Sequence, residues 1–249
     1  MRLLPQTMRG YLWVACLGLA FYSVTASASP AAPQAGVEYV ALDKPQPVEP
    51  GKKIEVIEFF AYFCPHCNVF EPTIAQWVKK QGDHIVFKRV HVDFHQLVTM
   101  QKLYYTLEAM DKANEYQSKV FEAFHVEHNR LQTDSDVALF VTKAGLDKKV
   151  FFDLYNSFSI STKVRLATQL QEAYHVGAIP TVAIDGRFVT SPVDAATSLG
   201  RVSEEKQIEA VIQVMDFLVA RAQKSRGIAA TSITAPPKVA APAGKTKKK

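Results

Sequence analysis

Residues 56–67 read VIEFFAYFCPHC, an apolar run that ends in two cysteines separated by two residues. The longer segment KIEVIEFFAYF (53–63) is rich in β-branched and aromatic residues and apolar on both alternating faces. That is the pattern of a strand covered by helices on both sides. After Cys64 the apolar positions Val69, Ile74, Trp77 and Val78 return at helical spacing. Pro72 falls inside this helix, where it removes a backbone hydrogen bond and is expected to introduce a kink. GDH (82–84) ends the helix, and IVFKRVHVDF (85–94) reads as the next strand. The cysteines therefore stand where a first strand turns into the first helix of a βαβ unit.

The chain then becomes helical, through HQLVTMQKLYYTLEAM (95–110), NEYQSKVFEAFH (114–125), TDSDVALFVTKAG (133–145), DKKVFFDLYNSF (147–158) and ISTKVRLATQLQEAYHV (160–176). Thr133, Asp134 and Asp147 suit helix starts and Gly145 a helix end. IPTVAIDGRFVT (179–190) gives two short strands around Asp185-Gly186, a strong hairpin signal. SEEKQIEAVIQVMDFLVARAQK (203–224) is a final amphipathic helix with Ser203 as its cap. Ahead of all this, VEYVAL (37–42) lies in an Ala/Pro-rich leader as a short strand joining the sheet edge. The summed order is βαβ, a block of helices, then ββα, an α/β chain with a helical block in its middle.

The ends read differently. Residues 1–28 carry Arg2 and Arg9, the apolar GYLWVACLGLAFYSV and small residues closing on Ala26-Ser27-Ala28, the form of a secretory signal cleaved after Ala28. The apolar core is short for a membrane span of about 20 residues, and Cys16, inside it, counts as part of the signal. The formal charge of +5 falls to +3 without Arg2 and Arg9, and setting aside five lysines in the terminal APPKVAAPAGKTKKK leaves −2 on residues 29–234. A nucleic-acid function would need a basic face on the fold, so no nucleic-acid partner is expected. The tail, residues 227–249, lacks an apolar face and reads as a solvated, flexible end.

Without residues 1–28 the chain holds only Cys64 and Cys67, in a compartment where disulfides persist. A bridge between them would close too short a loop to restrict the unfolded chain much. Zinc is a second alternative, but it needs three or four ligands, and His84, His91 and His95 show no ligand spacing beside the one CxxC. No metal is expected. Chemistry is the better reading. A cysteine in the first turn of a helix meets unpaired N–H groups and the positive end of the dipole, and both favour the thiolate. His66, between the sulfurs, adds a hydrogen bond or a positive charge. Residues three apart in a helical turn are about 5 Å apart at Cα, within disulfide range. Stabilising the Cys64 thiolate stabilises the reduced pair, which makes the closed disulfide the stronger oxidant.

CPHC after that aromatic strand, with the later Ile-Pro-Thr and an export signal, resembles the thioredoxin superfamily and closely the DsbA family of periplasmic, proteobacterial disulfide oxidoreductases. The likeness runs from about Pro47 to Lys224. It implies a thioredoxin fold divided as residues 29–95 and 176–226, with the helical domain at 96–175 between the halves. It implies an enzyme without an organic cofactor that donates its Cys64-Cys67 disulfide to newly exported proteins; a monomer is expected, because residues 29–50 are too short for the dimerisation domain that isomerases commonly carry. A DsbB-type quinone-linked membrane oxidase would recharge it. Carried over by residue, Cys64 is the attacking and mixed-disulfide sulfur, Cys67 the resolving one and Pro65-His66 the tuning pair. Pro180 matches the family's cis-proline, so that Ile179, Pro180 and Thr181 form the substrate-binding loop beside the disulfide; relatives often have valine at Ile179.

Glu58 is costly to bury inside VIEFFAYF unless paired or protonated, and it could help move the proton of Cys67. The family glutamate faces a buried lysine; the aligned residue here is Arg89, with Lys88 next to it. Arginine stays charged, which weighs against a relay through this position. Tyr62, Phe63, Phe70 and Trp77 fit an apolar substrate groove or the core. Two further readings remain: an isomerase or reductase of the same superfamily, and a groove-binding chaperone whose disulfide is inert.

Overall fold

A computed structural model describes residues 28–94 and 97–228. All but the last residue of the signal expected at residues 1–28, together with His95 and nearly all of the tail, lies outside these described residues. Strands β1 (Val40–Ala41), β2 (Ile54–Phe60), β3 (Ile85–His91), β4 (Thr181–Ile184) and β5 (Phe188–Thr190) form one sheet in the order β1-β5-β4-β2-β3. β2 and β3 are parallel, joined through helix α1 (Pro65–Gln81), while β4 pairs antiparallel with both β2 and β5. The VEYVAL segment contributes only its Val40–Ala41 pair, antiparallel to β5.

Between β3 and β4 come α2 (Val98–Ala109), α3 (Ala113–His125), α4 (Asp134–Lys143), α5 (Lys148–Tyr155) and α6 (Phe158–Ala173). Their boundaries follow from local chemistry. Thr133 and Asp136 make a reciprocal capping box at α4, the Asp147 carboxylate accepts from the Val150 N–H at 3.0 Å, and the Ser157 hydroxyl accepts from the Ile160 N–H at 3.3 Å. After β5 a four-residue helix, α7 (Pro192–Ala195), starts at a Ser191 cap, and α8 (Glu204–Ser225) closes the chain. Ser203 takes the backbone position of a cap, but its side chain makes no capping hydrogen bond to the helix N–H groups. Helix α1 runs through Pro72 without ending there.

Every residue of β2 is buried, as a strand covered on both faces requires. Ile57 and Phe59 join the apolar cluster shared with the helical insertion, where Leu103, Tyr104, Phe121 and Phe151 are buried. Ile54 and Val56 join a second cluster on the other side, with Phe70, Ile74 and Trp77 of α1 and Val211, Met215 and Leu218 of α8. Trp77 and Gln81 also donate to one Asp216 carboxylate oxygen, at 2.7 and 2.8 Å, and so tie α1 to α8.

The hairpin between β4 and β5 places Asp185 and Gly186 at φ 58° and 65°, the two positive values of a type I′ turn. The leader packs directly on it: the Gln46 N–H donates to the Gly186 carbonyl at 2.8 Å, and a Cβ at Gly186 would stand 2.3 Å from the Gln46 carbonyl oxygen. Gly186→Ala is therefore expected to cost more than about 1 kcal/mol, through both the positive φ and the clash. Urea unfolding of parent and variant measures it; an unchanged midpoint would show that the leader moves aside freely.

Candidate active site

Cys64 is the N-cap of α1, one residue earlier than the first helical turn expected from sequence. Its backbone N–H donates to the Ala61 carbonyl at 3.1 Å, which turns the chain out of β2, and its Sγ accepts from the Cys67 N–H at 3.2 Å. Pro65 occupies the first helical position, where its missing N–H costs nothing. The cysteines are unbridged. Cys64 is 5% exposed and Cys67 fully buried, so a partner can reach only the first sulfur.

The two thiols are held apart electrostatically. A hydrogen bond from the Cys67 side chain, against the opposing effect of burial, brings Cys64 down to about 7; the Cys67 N–H and the His66 charge and N–H assist. Burial drives the Cys67 thiol far above the ordinary range, and the hydrogen bond and charge of Cys64 push it further. The sequence points to the helix end and His66 as the sources of thiolate stabilisation. In the structure the larger one is Cys67 itself.

His66 is exposed, and its Nδ1 lies 2.7 Å from Glu204 Oε1 in the first turn of α8. The Glu204 hydrogen bond lifts the imidazole above its ordinary pKa. On the other side of Cys64, the Ile179–Pro180 bond is cis and the Ile179 carbonyl lies 3.7 Å from Cys64 Sγ. Thr181 begins β4, pairs with Phe59 across the sheet and donates its hydroxyl to Ala178 O at 2.8 Å.

A cavity of about 450 Å³ opens here, lined by His66, Glu204 and the 174–181 loop, with Leu42, Val193 and Ile208 among its apolar walls. The aromatic residues read from sequence as groove candidates do not line it. Tyr62, Phe70 and Trp77 are core side chains, and Phe63 packs partly buried against the core. Local pattern places these residues beside CPHC but cannot say that β2 and α1 turn them inward.

Glu58 is buried and accepts from Arg89 Nε at 2.8 Å, while Arg89 Nη2 reaches both oxygens of Glu71 at 3.0 and 3.1 Å. One guanidinium thus stands between two buried carboxylates. Burial, partly offset by Arg89, raises Glu58; burial likewise raises Glu71 to about 7, with Arg89 opposing and Glu58 adding. Lys88 points the other way, to Glu55 at 2.6 Å. Glu71 and Glu204 did not emerge from the sequence reading; Glu71 lies four residues after Cys67, the spacing of one helix face. His91 is structural: its Nε2 accepts from the Tyr62 N–H at 3.1 Å, and burial takes it down to about 3, leaving it neutral. Among the described residues no group of three or more His, Cys, Asp or Glu side chains could hold a metal.

Comparison with known proteins agrees with this geometry. Residues 55–202 match the model of the DSBA-like thioredoxin domain. The chain is 39% identical over 221 residues to the thiol:disulfide interchange protein DsbA of Burkholderia cepacia, covering 88% of this chain and all of that one. The chain belongs to the DsbA family. The DsbA of Pseudomonas aeruginosa is 40% identical over 155 residues, covering 62% of this chain and 74% of that one. Its crystal structure superposes with a TM-score of 0.69 at 34% identity, covering 78% of this chain and 96% of that one. A Neisseria meningitidis oxidoreductase at 22% identity, TM-score 0.65, covers 81% of this chain and 99% of its own and shares the fold. DsbA proteins are thiol:disulfide oxidoreductases, and Cys64-Cys67 is the CxxC pair of this member.

The two sulfurs make stability depend on pH in the reduced form. A thiol whose folded pKa is depressed contributes stability above its unfolded value, and loses it as pH falls through the folded value. For Cys64 that window lies between about 7 and the ordinary 9.0, while Cys67, raised, acts only above it. Urea unfolding of the dithiol form is expected to show stability rising across this window relative to Cys64→Ser. Parallel pH profiles for the two proteins would contradict a depressed Cys64.

Proposed function

We propose that the protein donates its Cys64-Cys67 disulfide to newly exported proteins in the periplasm and so drives their oxidative folding. The observation that carries this reading is the inequality of the two sulfurs. Cys64 sits at a helix cap with an N–H at 3.2 Å and a pKa near 7, and Cys67 is buried behind it with a much higher one.

A substrate thiolate attacks Cys64 Sγ of the closed disulfide. The Cys64–Cys67 bond breaks, its electron pair goes to Cys67, and a substrate–Cys64 disulfide forms. The buried Cys67 thiolate takes up a proton, as its raised pKa demands. The substrate's second thiolate then attacks the substrate sulfur of the mixed disulfide, and Cys64 departs as a stabilised thiolate. The substrate has lost two electrons and two protons; the protein has gained two electrons, and its proton inventory depends on Cys64 ionisation. A DsbB-type quinone-linked membrane oxidase removes the electrons.

Ile179, Pro180 and Thr181 hold the substrate's backbone beside Cys64, and Pro65 and His66 tune its thiolate. Glu58 adds its charge to the field that raises Cys67, while its hydrogen bond to Arg89, a cation that keeps its proton, weighs against a proton relay through it. The domain division that fits is a signal at 1–28, thioredoxin-like halves at 29–95 and 176–226, the helical domain at 96–175 and a tail at 227–249. It is supported by the five helices α2 to α6 that separate β3 from β4. The protein works as a monomer.

Equilibration of the purified protein with defined glutathione mixtures tests the reading. The disulfide is expected to be readily reduced, at a potential well above that of a reducing thioredoxin. Cys64→Ser should abolish oxidation of a reduced substrate, and Cys67→Ser offered the disulfide form of that substrate should hold it as a mixed disulfide, the Cys64 thiolate displacing one substrate sulfur and no second thiol being present to release it. A strongly reducing potential would point to a reductase, and aggregation suppression without oxidation by the parent would point to a holdase.

A further inference from the structure

We propose that Glu204 is a positioning residue for the exchange, supplying the counter-charge that keeps His66 an imidazolium beside the Cys64 sulfur. This rests on the reading of Cys64 as the sulfur released as a thiolate. His66 is the second residue of α1 and Glu204 the first of α8, and they meet at 2.7 Å although 138 positions separate them in the chain.

The placement solves an electrostatic conflict. The positive end of α1 that favours a thiolate at Cys64 disfavours a cation at His66, because the same helix dipole acts on both. That dipole and the partial burial of His66 both oppose its charge. The Glu204 carboxylate offsets the dipole. It also belongs at its own helix start, where an acid complements the positive end of α8. The result is a row of alternating charge, Cys64 thiolate, His66 imidazolium, Glu204 carboxylate, running from the sulfur to the groove rim.

The other titratable side chains lining the groove are Tyr174, whose phenol pKa is raised by burial, His175 and Asp194. Asp194 accepts from the Ser191 hydroxyl at 2.7 Å, and Cys67 faces inward behind Cys64. Among the described residues, Glu204 is the carboxylate within ion-pair distance of His66. Both partners touch water, His66 at 68% and Glu204 at 35% side-chain exposure, so the effect is modest. When the mixed disulfide resolves, the S–S bond to Cys64 breaks and its electron pair stays on Cys64. An imidazolium beside that sulfur favours the departure; a neutral imidazole does not.

The test compares the purified parent with Glu204→Gln, Glu204→Asp, His66→Ala and the Glu204→Gln/His66→Ala double variant. Three quantities are followed against pH: the His66 titration by NMR, the Cys64 thiolate by ultraviolet absorbance, and the glutathione equilibrium. Glu204→Gln is expected to lower the His66 pKa and raise that of Cys64. It should shift the glutathione equilibrium toward the retained disulfide by roughly two- to fivefold, as for an exposed ion pair. The shift should be confined to the interval where only the parent keeps the imidazolium. Glu204→Asp should restore part of it, and in the His66→Ala background Glu204→Gln should do nothing. An unmoved His66 titration, or an equal shift without His66, would overturn the proposal. A strongly reducing parent would defeat the oxidant reading instead, leaving the His66 titrations to report on Glu204 separately.

Discussion

Two sulfurs within one helical turn are solvated in opposite ways, and the rest of the site depends on that difference. Cys64 stands at the cap, where a backbone N–H points at it; Cys67 is one turn inside, where nothing but protein surrounds it. Neither position is a property of the CPHC tetrapeptide alone. The fully buried strand β2 aims the chain at α1, the two apolar clusters hold β2 and α1 together, and β4 brings the Ile179 carbonyl to the sulfur. A stabilised thiolate on one side and a disfavoured one on the other make the reduced pair the comfortable state, and the disulfide the reactive one.

Beneath the sulfurs lies an unusual investment in buried charge. Placing Glu58, Glu71 and Arg89 out of water is costly, and such a cluster is tolerable only when its polar atoms are satisfied. Here the guanidinium fork serves both carboxylates and Asn114, Gln117 donates to Glu71, and the Tyr62 hydroxyl donates to Gln117. A lysine ammonium is a single point of charge; the planar fork of Arg89 can span the two acids at once.

Much of this was legible in the residues, for reasons that can be named. The double-faced apolarity of 53–63 marked a buried strand, Thr133 and Asp147 marked helix starts, and Asp185-Gly186 marked the hairpin; each signal is local. What stayed hidden is what depends on distant partners or on orientation. Helix α7 is four residues long and leaves no periodicity. The pairing of His66 with Glu204 joins two segments that nothing in a linear reading connects. Tyr62 and Trp77 stand close to the cysteines in sequence, yet the groove walls include Leu42, Ile179, Val193 and Ile208, all more than 20 positions from the cysteines along the chain. Glu58 was conspicuous because an acid interrupts an apolar strand; Glu71, in a helix of mixed polarity, was not.

The insertion of five helices between β3 and β4 also bears on how the molecule is made. Cys64 and the Ile179 carbonyl beside it are 115 residues apart, so closing the site requires a long loop whose entropy cost is met before the contact rewards it. A chain made from its N-terminus onward brings out CPHC long before it brings out β4. During that interval the two cysteines are neighbours in sequence only, without the Ile179–Pro180 loop beside them. Oxidising capacity therefore arrives late in synthesis, as a property of the completed sheet, and a nascent copy has the sulfur chemistry of an ordinary peptide until its last third has docked.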